Sequence, residues 1–199
     1  MTIDRRTWLA LAGASTSALA TTSQAQGLAS SSARGATWLT VSGAIRNSNR
    51  GPVHPQLEQL FIKHKVGFER AMAFDEALIR RLPTRSIKPV LEYDSLAHEL
   101  QGPLLSQVLE TAGVSLQPKT ALVLRALDGY TVVITGQQLQ LSQMILAHTL
   151  DRAPIGLGGL GPLWAVWDPA RQPELMNKPL NERYALCPWG LYHIEVKAG

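Results

Sequence analysis

The period of the apolar residues changes several times along the chain, and each change marks an element. Residues 38–45 (WLTVSGAI) carry the aromatic and β-branched content of a first strand, and residues 46–56, with two prolines and two asparagines, interrupt it. Residues 57–73 are ambiguous; Leu57, Leu60 and Phe61 suggest a short helical turn. Phe74, Leu78 and Leu82 recur every four residues, which predicts a short helix through FDEALIRRLP, with Asp75 near its positive end and Pro83 stopping it. Residues 87–93 read as a strand, and Pro89 places it at an edge or gives it an irregular start.

The clearest helical pattern is GPLLSQVLETAG, residues 102–113. Pro103 suits a first turn, Leu104, Leu105, Val108, Leu109 and Ala112 form one apolar stripe, and Gly113 stands where a left-handed C-terminal residue belongs. Gln107 falls on the opposite face. Residues 120–127 and 130–135 are two β-rich runs joined by Asp128-Gly129, a hairpin signature because the turn needs positive φ. Residues 141–150 suggest another short helix, and residues 162–167 and 191–196 two more strands. Strands and short helices mix without strict alternation, so the expected class is α+β: one compact domain of mixed sheet and short helices over residues 37–198.

The N-terminus is different in kind. Arg5-Arg6, then Thr7-Trp8-Leu9 and a small-residue stretch, read as a twin-arginine export signal over residues 1–25. Ser23-Gln24-Ala25 offers a cleavage site, with Ala18-Leu19-Ala20 as the alternative. An ordinary secretory leader, in which the arginines only supply positive charge, is the competing reading; both lead out of the cytoplasm, to the periplasm. Residues 26–36 are a Ser/Ala/Gly tail expected to be flexible.

The formal charge of +4 falls by one when Asp4, Arg5 and Arg6 leave with the signal. The remaining basic residues are scattered, which gives nucleic-acid binding no support. No later stretch is apolar for long enough to span a membrane, so the mature chain is expected to be soluble. Cys187 is the sole cysteine, which excludes an intramolecular disulfide.

Gly156, Gly158 and Gly161 spell G-x-G-x-x-G, but Pro154 and Pro162 flank the run and no helical pattern follows, so the nucleotide reading is rejected. A flexible loop remains that can approach a ligand closely. His54, His64, His98, His148 and His193 lack metal-ligand spacing, so no metal site is assigned and they read as surface or hydrogen-bonded core histidines. Cys187, without a basic neighbour, reads as a small apolar residue near a strand start. Tyr93, Tyr130, Trp164, Trp167 and Trp189 are candidates either for lining a pocket around a flat ligand or for core packing.

The ordered pieces FDEALIRRLP, GPLLSQVLETAGV, LRALDGYTVVI, ILAHTLDRAPI, GPLWAVWDP and WGLYHIEV together resemble the oxidoreductase molybdopterin-binding domain, the sulfite-oxidase-like fold, in its small exported single-domain bacterial branch. The resemblance implies a molybdopterin cofactor. In that family a strand after the LP helix delivers a cysteine thiolate to molybdenum, while the DGY hairpin, the loop before GPLW and the closing strand build the pterin side. It thus implies cofactor-binding roles for Glu92, Tyr93, Asp94, Tyr130, Gly158, Gly159, Gly161 and Trp164. The strand that should carry the cysteine, residues 86–94, has none. Glu92 or Asp94 is either an oxygen ligand in its place or an exposed carboxylate at a strand end. Arg70, Arg80, Arg81, Arg85 and Arg125 are the arginines available to a pterin phosphate. No catalytic residue is assigned. Two functions follow: an exported molybdopterin oxidoreductase-like protein passing electrons to a partner, or a non-catalytic module binding a small molecule or a periplasmic sensor domain.

Overall fold

A five-stranded mixed sheet organises the chain in its computed structural model, which describes residues 35–197. The expected export signal and all but the last two residues of the expected tail lie outside the described residues. Its strands are β1 (Thr37–Gly43), β2 (Ala71–Asp75), β5 (Ala121–Ala126), β6 (Thr131–Thr135) and β11 (Leu191–Val196), in the order β2-β1-β11-β5-β6. β1 and β11 run parallel; the other neighbours are antiparallel. A four-stranded sheet joins β3 (Thr84–Ile87), β4 (Leu100–Pro103), β8 (Thr149–Leu150) and β9 (Ala153–Pro154). β7 (Ile145–Ala147) pairs with β10 (Trp164–Val166). Short helices fill the connections: α1 (Gln59–Lys63), α2 (Glu76–Arg80), α3 (Leu105–Thr111), α4 (Gly136–Ser142) and α5 (Pro173–Met176). The class is α+β. Among the described residues no helix is long and apolar enough to cross a membrane.

The main core joins Leu39 and Val41 of β1, Leu122 and Leu124 of β5, Ile194 and Val196 of β11, Leu105, Val108 and Leu109 of α3, and Trp164. A bulge decides how β11 serves it. Leu191 and Tyr192 together span one step of the β5 register, from Ala126 to Arg125. The slip keeps Leu191 in the same core as Ile194 and Val196, while Tyr192 joins a second cluster with Phe61 and Val66.

Several expected boundaries shift. Phe74 belongs to β2, and Asp75 caps α2 by accepting the Leu78 N–H at 2.8 Å, so the buried helical residue is Ile79 and not a Phe74–Leu78–Leu82 stripe. Pro103 ends β4, because Gly102 lies against the Leu146 backbone so closely that a Cβ would stand 1.9 Å from its carbonyl oxygen. α3 buries Leu105, Val108 and Leu109 as expected, but Gln107 is half-buried. The 128–129 turn has positive φ at Gly129 alone, with the Gly129 N–H bonded to the Ala126 carbonyl, a three-residue connection rather than a two-residue one. Residues 141–150 are not one helix: α4 ends at Ser142, Gln143 turns left-handed, and the fully buried run Ile145–Ala147 is β7.

Candidate binding cleft

Residues 86–94 do not form the single strand expected. β3 stops at Ile87, Val90 bridges Ala97, and residues 92–95 form a turn closed by Leu91 N–H to the Leu96 carbonyl (2.9 Å) and Ser95 N–H to the Leu91 carbonyl (3.0 Å). Leu91 is buried and anchors the turn, so Glu92 and Tyr93 stand at the edge of a cleft of about 260 Å³. The β5–β6 hairpin supplies the opposite edge with Asp128 and Tyr130. The floor comes from the segment before β11, through Tyr184, Cys187 and Trp189.

That floor segment pairs only at its end, where Trp189 bridges Trp164 and the Ala165 N–H donates to the Pro188 carbonyl (3.1 Å), and aromatic side chains hold the rest. Tyr130 Oη donates to the Ala185 carbonyl and Tyr184 Oη to the Val90 carbonyl, both at 2.6 Å. Trp164 Nε1 donates to the Cys187 carbonyl at 2.9 Å, and Trp167 Nε1 to the Arg183 carbonyl at 3.0 Å. Each ring thus satisfies its polar tip on backbone while its apolar body stays in the wall or the core.

The electrostatics are one-signed. Burial, and after it the negative charge of Glu92, pushes the Tyr93 phenol up to about 12. Burial raises Tyr184 and Cys187 as well, and Glu92 adds to both. Cys187 is therefore held as a neutral thiol. Among the described residues no lysine or arginine lines the cleft. Glu92 and Asp128 join no ion pair among the described residues.

The structure brings Glu92, Tyr93 and Tyr130 together, and separates them from the other expected site residues. Trp164 is buried behind the cleft, its ring 6.4 Å from Tyr93 and 6.2 Å from Tyr184. Asp94 faces away into a clasp in which His98 lies between Asp94 (2.7 Å) and Asp151 (2.6 Å). Gly158, Gly159 and Gly161 line no part of the cleft. Their loop shapes one side of a second, more apolar groove of about 540 Å³, between Leu157, Pro162, Trp38 and Phe61. Of the five arginines, Arg70 donates to the Ile45 carbonyl, Arg80 pairs with Glu76, Arg125 pairs with Glu195, and none reaches the cleft.

Sequence reasoning left Asp128, Tyr184 and Cys187 out of the site, and Cys187 shows why. It sits far from Glu92 in the chain, and only the folding of the floor under the 92–95 turn joins them; its neighbour Pro188 gave no local hint. A buried pair, Ser42 Oγ to His193 Nε2 at 2.9 Å, imitates a hydrolase dyad. Arg125 Nη1 donates to His193 Nδ1 at 3.2 Å, so Nε2 carries the proton and donates to the serine. Burial and Arg125 lower His193 to about 3. The ring cannot serve Ser42 as a base in this tautomer; it is a hydrogen-bonded core histidine.

No family model matches the chain, and no curated protein matches it. Among solved structures it is similar to the sulfane dehydrogenase SoxCD from Paracoccus pantotrophus, with a TM-score of 0.52 and 11% identity over 80% of this chain. The chain spans 37% of that dehydrogenase chain. At this identity the likeness concerns the fold.

Proposed function

We propose that this chain is a non-catalytic binding module, exported to the periplasm, on a sulfite-oxidase-like fold. The likeness to a dehydrogenase chain supports a distant molybdopterin-oxidoreductase-like fold. The lining of the cleft carries the rest of the reading. A pterin phosphate calls for cationic side chains, and this cleft offers none while presenting Glu92 and Asp128. A molybdenum ligand of the family type is a cysteine thiolate carried by the segment after the LP helix; residues 86–94 have no cysteine, and Cys187 lies buried in the floor of the cleft instead. The residues at this cleft do not fit the cofactor, so no redox step is assigned to them.

A preformed pocket with fixed aromatic walls and two carboxylates suits reversible capture of a small molecule. Its volume lies just below the usual range of about 300–1,000 Å³ for ligand clefts, which favours a small ligand. The oxidoreductase reading rests on the fold alone, and fold does not determine chemistry. Metal analysis and visible absorbance of protein taken from its own exported pool separate the two. The module reading expects no molybdenum and no pterin absorbance; stoichiometric molybdenum overturns it.

A further inference from the structure

We infer that the cleft between the 92–95 turn and the β5–β6 hairpin is a site for a small organic cation, an alkylated or quaternary ammonium compound. This deepens the binding-module reading and rests on it. The cleft is walled by Tyr93, Tyr130, Tyr184 and Trp189, with the carboxylates of Glu92 and Asp128 at its two edges.

Three features of the geometry converge. First, the hydroxyls of Tyr130 and Tyr184 are committed to the backbone carbonyls of Ala185 and Val90, so neither offers its hydroxyl proton to a ligand, and the exposed Tyr130 presents its ring instead. An aromatic face is electron-rich and attracts a poorly hydrated cation. Second, Asp128 spends one oxygen, Oδ1, on the Tyr130 N–H (2.8 Å), and neither it nor Glu92 meets a protein cation among the described residues. Two carboxylates flanking one cavity without a cation leave a negative field that a ligand charge would neutralise. Third, the alternatives fit less well. Anions are opposed by both carboxylates. A metal ion needs several converging donors, and among the described residues no three His, Cys, Asp or Glu side chains are grouped to hold one.

The Arg50 guanidinium shows the same preference within this chain: it lies 4.9 Å from the Phe68 ring centroid and 5.7 Å from that of Phe61, paired with Glu58. There the cation is the protein's own. In the cleft it has to come from outside.

Tryptophan fluorescence reads the site directly, because Trp189 lines it and Trp164 stands behind it. The exported protein is titrated with choline and, separately, with dimethylbutanol, the uncharged carbon isostere of choline. The expected result is a saturable change with choline and binding at least about tenfold weaker with the isostere. Glu92→Gln and Asp128→Asn should each weaken choline binding, with far-UV circular dichroism unchanged. Equal binding of the two compounds, or choline binding untouched in the doubly neutralised protein, overturns the inference. So does absence of choline saturation at millimolar concentration in protein that carries no molybdenum, and that result leaves the module reading standing. Stoichiometric molybdenum in the same preparation instead removes the reading on which the inference rests.

Discussion

Tyr130, the residue before β6, donates its hydroxyl to the Ala185 carbonyl at 2.6 Å, and neither residue lies in a strand. This contact ties the hairpin edge of the cleft to its floor. Removing the hydroxyl in Tyr130→Phe leaves that carbonyl without its partner while keeping the ring. The expected loss is about 0.5–1.5 kcal/mol, measured by urea denaturation. Amide exchange should speed up over residues 183–187 and remain unchanged in β11. A uniform change over the whole chain would show that the contact does not act locally.

The clasp Asp94–His98–Asp151 gives the 92–95 turn a pH dependence. Hydrogen bonds donated to the carboxylates of Asp151 and then Asp94 raise His98 above its ordinary 6.5. Asp94 is lowered by the Leu96 N–H and then by His98, and Asp151 by His98 and then by the Glu99 N–H, both from 3.8. The histidine contribution is complete below 6.5 and disappears as pH rises through the raised value. The aspartate contributions are complete above 3.8 and disappear as pH falls through the lowered values. The clasp is therefore tightest in mildly acidic solution. Both aspartates are open to solvent, so salt weakens the effect. Protection of the Leu96 and Glu99 amides, relative to the intrinsic base-catalysed rate, should be greatest in that window and fall toward alkaline pH. In His98→Gln that alkaline loss of protection should vanish.

The glycine loop separates motif from packing. A Cβ at Gly156 meets nothing within 4 Å, whereas at Gly161 it would stand 2.1 Å from the Ile155 carbonyl oxygen. Gly156→Ala should be neutral or slightly stabilising, by up to about 1 kcal/mol, through the unfolded chain. Gly161→Ala should lower the melting temperature clearly. A phosphate-binding loop would be sensitive at both positions in ligand binding, and the contrast in thermal melts decides between the two.

Export is testable without the folded domain. Arg5→Lys with Arg6→Lys preserves charge but removes the guanidinium pair, so precursor should accumulate in the cytoplasm. Unchanged periplasmic yield in a fractionation would assign the leader to the general secretory route.

What could be read from the chain was what local chemistry determines. The β5–β6 hairpin, β11 and the α3 stripe of Leu105, Val108 and Leu109 follow from turn residues and period, and all are present. The apolar run Ile145–Ala147 carries no period, and burial on both sides makes a strand and a helix look alike in sequence. Residues 86–94 misled for a different reason: β-branched content at Ile87 and Val90 suggested a strand, yet Leu91 is drawn into the core and forces the turn behind it. Glu92, Tyr93 and Tyr130 were visible as candidates, but their meeting with Tyr184 and Cys187 depends on tertiary contacts such as Tyr184 to Val90, which no local pattern encodes.

The central place of β11 has a consequence for the order in which the protein can be made. β1 and β5 both bond to β11, and before Leu191 has been synthesised the large sheet exists only as two separate strand pairs, β1–β2 and β5–β6. A two-stranded piece is marginal in water and exposes its edges. A nascent chain therefore cannot complete this sheet until β11 itself has emerged, and it then closes by contacts of very long sequence separation. For the export proposed above, that order suits a route that carries the chain only after β11 has closed the sheet.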